Sequence, residues 1–99
     1  MPFTNEQKKA LRSIGHNLKP VVSVASKGLT QSVLDELDRA LSDHELIKIK
    51  IAVGDRTSRD QVLGELLKAS KSELVQQIGN TALLLRKNPK AKPKLSNLQ

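Results

Sequence analysis

Leu46-Ile47-Lys48-Ile49-Lys50-Ile51-Ala52-Val53 alternates with a period of two: Ile47, Ile49, Ile51 and Val53 fall on one side, Lys48 and Lys50 on the other. Only an extended strand separates residues in this way, so the stretch predicts a β-strand with one buried face and one wetted, positive face. On its N-terminal side the period changes. Val33, Leu34, Leu37, Ala40 and Leu41 recur at helical spacing behind Thr30, a good N-cap, and leave Asp35, Glu36, Asp38 and Arg39 outside. Beyond Gly54-Asp55-Arg56-Thr57 the helical period returns, and Val62, Leu63, Leu66 and Leu67 give a helix from about Ser58 to Ala69. The central strand is thus flanked by two helices, the signature of an α/β domain.

The outer segments complete the order. Thr4 and Gln7 have capping-box spacing, and Ala10, Leu11, Ile14 and Leu18 form a stripe, which predicts a first helix from about Asn5 to Gly15. Lys8, Lys9 and Arg12, three and four residues apart, make one exposed basic ridge on it. Pro20 to Ala25, with Val21, Val22 and Val24, reads as a short strand. Leu74 to Ile78 and Thr81 to Arg86 read as two strands around Gly79-Asn80, a two-residue turn whose glycine suits type II′. The order α-β-α-β-α-β-β follows. Right-handed crossovers make the first three strands parallel and the closing hairpin adds an antiparallel one, giving a four-stranded mixed sheet with helices packed on its apolar face.

Composition narrows the function. In 99 residues, 17 Lys and Arg against 10 Asp and Glu give +7, which favours a polyanionic partner. No apolar run suits a membrane span, and Met1-Pro2-Phe3 does not open a signal peptide, so a cytoplasmic location is expected. The absence of cysteine excludes disulfides, thiol nucleophiles and Cys-based zinc sites. Residues 1–86 read as one domain. Residues 87–99, with Lys87, Lys90, Lys92 and Lys94, two prolines and no acid, read as an extended, mobile basic arm.

Chemistry is sparse. His16 and His44 are the only histidines and lie in different elements; Asp43-His44-Glu45 sits at a helix-strand junction, where neighbours rarely converge on a site. No Walker A or Rossmann glycine pattern calls for a nucleotide cofactor, so neither an enzyme nor a cofactor is expected. The loop Ala25-Ser26-Lys27-Gly28-Leu29-Thr30 joins a strand end to a helix N-terminus, a place suited to phosphate, with Lys27 adding charge and Gly28 allowing close approach. A glycine that merely turns the chain is the bland alternative. Arg56 and Arg59 stand at the start of the third helix, where the dipole disfavours cations; a phosphate partner or a salt bridge to Asp55 or Asp60 explains them equally well. Phe3 is the sole aromatic, so base stacking on aromatic side chains is not expected, and contacts to phosphates and shape are.

Four ordered blocks carry a resemblance: His16-Asn17-Leu18-Lys19-Pro20-Val21-Val22, then Lys27-Gly28-Leu29-Thr30, then His44-Glu45-Leu46-Ile47-Lys48-Ile49-Lys50, then Gln77-Ile78-Gly79 with Leu84 and Arg86. Over about residues 4 to 86 the chain resembles the CRM domain (chloroplast RNA splicing and ribosome maturation) in its small bacterial form, the YhbY-like proteins. The resemblance implies a fold related to the C-terminal domain of translation initiation factor three, and binding of structured ribosomal RNA during assembly of the large ribosomal subunit, without enzymatic activity. It places the family's G-x-x-G loop on Ala25 to Gly28, where alanine replaces the first glycine. The expected RNA-binding residues are Lys8, Lys9, Arg12, Lys19, Ser26, Lys27, Gly28, Lys48 and Lys50 of a monomeric protein. A protein-interaction adaptor with an acidic protein partner is the alternative.

Overall fold

The structure is a computed structural model. It describes residues 4–25, 28–88, 90 and 96–97. The elements follow the expected order: α1 (Asn5–His16), β1 (Pro20–Val24), α2 (Gln31–His44), β2 (Leu46–Ile51), α3 (Arg56–Ser70), β3 (Glu73–Ile78) and β4 (Thr81–Leu85). Thr4 caps α1 through the expected reciprocal pair, its hydroxyl accepting from Gln7 N and the Gln7 amide oxygen accepting from Thr4 N. Thr30 caps α2 by accepting from Val33 N. Helix α3 starts two residues before the expected Ser58, because Asp55 accepts from Ser58 N at 2.8 Å and draws Arg56 and Thr57 into the first turn.

The four strands lie in the order β1-β2-β4-β3. β1 runs parallel to β2, while β4 is antiparallel to both β2 and β3, so the three crossover-linked strands share one direction, as expected. The turn at Gly79-Asn80 has φ +57° at the glycine and no positive φ at the asparagine, the type II′ pattern. β4 occupies an interior position, which accounts for the continuous burial of Ala82-Leu83-Leu84-Leu85: an inner strand with both faces covered has no wet side for polar residues.

Both faces are covered because the helices divide between them. Helices α2 and α3 lie on one face over Val22, Val24, Ile47, Ile49, Ile51, Ala82 and Leu84, closed from the helix side by Leu37, Leu41, Leu63 and Leu66. Helix α1 lies on the other, where Leu11, Ile14 and the following Leu18 pack on Leu46, Val75, Leu83 and Leu85. The expectation of helices on one apolar face needs this correction. Leu46, Leu83 and Leu85 have the opposite strand parity to Ile47 and Leu84, and so form a second apolar patch that the α1 stripe covers. Contact there is close, since Gly15 is buried and a Cβ on it would stand 2.7 Å from Leu83 Cδ1.

Of the basic arm, the structure describes residues 87, 88, 90, 96 and 97. Three of them bond to the α2–β2 junction: Asn88 N and the Ser96 hydroxyl donate to the two carboxylate oxygens of Glu45 at 2.7 and 2.8 Å, and Asn97 Nδ2 donates to Leu46 O at 2.6 Å. Glu45 is buried with φ +62°, a conformation that L-residues resist, and these side-chain bonds hold it there. Lys92 and Lys94 of the arm lie outside the described residues. Among the described residues, no helix is long and apolar enough to cross a membrane.

Candidate nucleic-acid interface

The α1 ridge is built as its spacing requires. Lys8, Lys9 and Arg12 are all exposed, and Arg12 Nε donates to Lys8 O at 3.4 Å, which folds the arginine along the helix. Among the described residues none of the three has an acidic partner within ion-pair distance; the ion pair there is Arg86 with Asp38. Three uncompensated cations on one flank of a short helix make a positive strip facing solvent. Lys19, just beyond α1, is exposed as well.

Lys48 and Lys50 share the sheet face on which α1 packs, but their surroundings differ. Lys50 is exposed in a cross-strand row with Ser23 on β1 and Thr81 on β4. Lys48 is half-buried, and with His16, Gln76 and Leu83 it lines a small hollow at the end of α1. The wetted face foreseen for β2 is therefore wet at Lys50 and partly roofed at Lys48.

In the loop after β1, Gly28 has φ +74°, the left-handed region in which glycine is favoured, and Gly28 N donates to Ala25 O at 2.8 Å to close a turn. Ser26 and Lys27 lie outside the described residues, so their expected contacts are not placed. Two amides of this junction are committed internally, Gly28 N to the turn and Val33 N to the Thr30 cap. Ala25 accepts the turn bond with its carbonyl, which any residue supplies; Gly28 is the position where a side chain would strain the backbone.

Other titratable groups serve the fold. Asp43, His44 and Glu45 do not converge: Glu45 is spent on the tail, and among the described residues no three His, Asp or Glu side chains are grouped to hold a metal. Arg86 ties three elements together, with Nη1 donating to Asp38 Oδ1 and Ser70 O and Nη2 to Asp38 O and Ser42 Oγ, all at 2.8 to 2.9 Å. The backbone and side-chain hydrogen bonds from Ser58 hold the Asp55 carboxyl below its usual pKa, with the charge of Arg59 adding to them. Neither arginine at the start of α3 makes the salt bridge considered for it: Asp55 caps the helix, and Asp60 accepts from Gln77 Nε2 at 3.4 Å. Arg59 Nε is buried without a hydrogen-bond partner among the described residues. Cations in a helix's first turn were the sequence signal for this feature.

These features define a class: a three-layer α/β domain with an uncompensated basic helix and a glycine turn at a helix N-terminus. The model of the CRS1/YhbY (CRM) domain matches residues 3–86, and the chain belongs to this family. It is 57% identical over 98 residues to a Pseudomonas aeruginosa protein called "probable RNA-binding protein", covering 99% of this chain and 94% of that one. A Haemophilus influenzae protein called "RNA-binding protein" is 38% identical over 93 residues, with 94% of each chain covered. Among solved structures, that of a hypothetical protein from Staphylococcus aureus superposes with a TM-score of 0.77 at 30% identity, covering 92% of this chain and 95% of that one.

Proposed function

We propose that this chain is a non-catalytic, monomeric, cytoplasmic protein that binds structured ribosomal RNA in precursors of the large ribosomal subunit. The observation that carries the reading is the exposed ridge Lys8-Lys9-Arg12, positive and without acidic partners among the described residues, on a domain whose relatives bear the name RNA-binding protein. The ridge, Lys19, Lys50 and the turn ending at Gly28 contact phosphates, Lys27 adds its charge in that loop, and Lys48 contributes field from beneath the surface. With no aromatic platform on these elements, affinity comes from charge and shape, so binding weakens steeply with salt and discriminates little between sequences.

Sedimentation of a gently prepared lysate at low and high salt, with each fraction probed for this protein, tests the proposal. Co-migration with large-subunit precursors at low salt and release at high salt is the expected result. Migration among free proteins at low salt, with no affinity for purified ribosomal RNA, would overturn it and leave an acidic protein as the partner.

A further inference from the structure

Helix α3 and strand β3 leave a groove of about 580 Å³ between them, on the side of the sheet facing away from α1. Along α3 its lining is Arg56, Arg59, Asp60, Leu63, Gly64 and Leu67, which share one helix face. Opposite them stand Gln77 and Leu74 of β3. The cleft is polar and cationic towards the hairpin end, where Gln77 meets Asp60, and apolar towards Leu67 and Leu74. Gly64 stands in its wall, where an added Cβ would meet nothing within 4 Å, so a large side chain there has open space to enter.

An apolar slot ending in two arginines calls for a ligand with a flat apolar body and an anionic end. Arg59 Nε, buried and unbonded among the described residues, is a donor whose partner the fold does not supply. Neither arginine makes an ion pair among these residues; Asp60 in the same lining and Asp55, on which the charge of Arg59 acts, offset part of their charge and leave this end of the groove positive on balance. In a chain with one aromatic residue, the apolar wall formed by Leu63, Leu67 and Leu74 is the surface this groove offers to the face of a base. The volume lies within the range of small-molecule sites and admits one nucleotide.

We propose that the α3–β3 groove receives a single unpaired nucleotide, its phosphate on Arg56 and Arg59 and its base over Leu63 and Leu67, with Gln77 at the base edge. This rests on the RNA-binding reading and deepens it. The α1 ridge holds paired RNA by charge, and the groove selects RNA that has an extruded base.

The test compares the full chain's affinity for two RNA hairpins identical except for one bulged nucleotide, with free mononucleotide as competitor. Wild type should bind the bulged hairpin about tenfold more tightly, the order expected when one base face is buried on leucines and its phosphate meets an arginine. Gly64→Leu fills the groove yet replaces a mid-helix glycine with a good helix former, so its melting temperature should rise while the preference disappears. Arg59→Gln should also abolish the preference, leaving affinity for the unbulged hairpin within about twofold, since that binding is assigned to α1. Equal wild-type affinity for the two hairpins, or a preference that survives Gly64→Leu, overturns the groove assignment while leaving the RNA-binding reading intact. Failure to bind either hairpin overturns both. Displacement by free mononucleotide at concentrations that leave the unbulged complex intact would support the groove as the site of discrimination. Binding of an acidic peptide in place of the bulge, blocked by Gly64→Leu, would reassign it.

Discussion

Replacing Lys8, Lys9 and Arg12 together by glutamine should change the salt dependence of RNA binding more than it changes the protein. Each phosphate neutralised on a duplex adds about 0.9 to the slope of log affinity against log salt. If each of the three exposed cations meets one phosphate, the triple variant loses about 2.7 from that slope. Between 50 and 200 mM salt, wild type should then lose about 40-fold more affinity than the variant loses. Fluorescence anisotropy with a structured ribosomal RNA fragment, titrated at four or five salt concentrations, reads both slopes. Stability should hold or rise slightly, because Lys8 and Arg12 are like charges four apart and the bond removed is a long one from Arg12 Nε to Lys8 O. A variant that melts like wild type and keeps its salt slope within about half a unit would refute the assignment of α1 to the phosphates.

Two further outcomes follow from the fold. Arg86→Ala should destabilise by about 2–3 kcal/mol: Asp38 is 69% exposed and contributes little as an ion partner, but the Ser70 and Asp38 carbonyls and the Ser42 hydroxyl lose donors. Urea unfolding measures it, and a loss under about 1 kcal/mol would refute the bracing role. The Asp55 carboxyl has its folded pKa lowered, so its contribution is present in full above the ordinary carboxylate value of 3.8 and fades as pH falls through the lowered one. A carboxyl-carbon NMR titration should place its midpoint below 3.8, and Asp55→Asn, which keeps the cap without the titration, should lose less stability than wild type on acidification; a midpoint at or above 3.8 would contradict the capping geometry.

The parts legible in the sequence are those whose physics is local. Thr4 with Gln7, Thr30, the Gly79-Asn80 turn and the alternation of Ile47, Ile49 and Ile51 each announce a cap, a turn or a strand within a few residues, and each is found where expected. The position of β4 between β2 and β3 is not local, and the run Ala82 to Leu85 indicates only that it is buried on both faces. Glu45 and Arg86 were opaque as structural residues for the same reason. Their partners stand far away in the chain, Asn88 and Ser96 for Glu45, Asp38 and Ser42 for Arg86, so no spacing rule brings them together. The Lys48–Lys50 pattern was read correctly as a face, but whether a face is wet depends on which helix lands on it.

That landing is decided by width. A four-stranded sheet is roughly 15–20 Å across, counted at about 4.8 Å per strand, and one helix is about 10 Å thick. Two helices can cover the Ile47–Leu84 face, whereas α1 alone cannot cover the other. Its apolar stripe settles on Leu46, Val75, Leu83 and Leu85, over β2, β4 and β3, and leaves the β1 side bare. Val21, about half exposed, Ser23 and Lys50 lie on that bare strip. β1 leads directly from Val24 into the turn at Ala25–Gly28, so the uncovered strip ends at the glycine turn. Pairing a short amphipathic helix with a sheet too wide for it thus gives a chain of 99 residues two things at once: a second core that orients the basic ridge, and a bare strip of sheet on which Lys50 of β2 stands exposed beside Ser23 and Val21 of the edge strand β1.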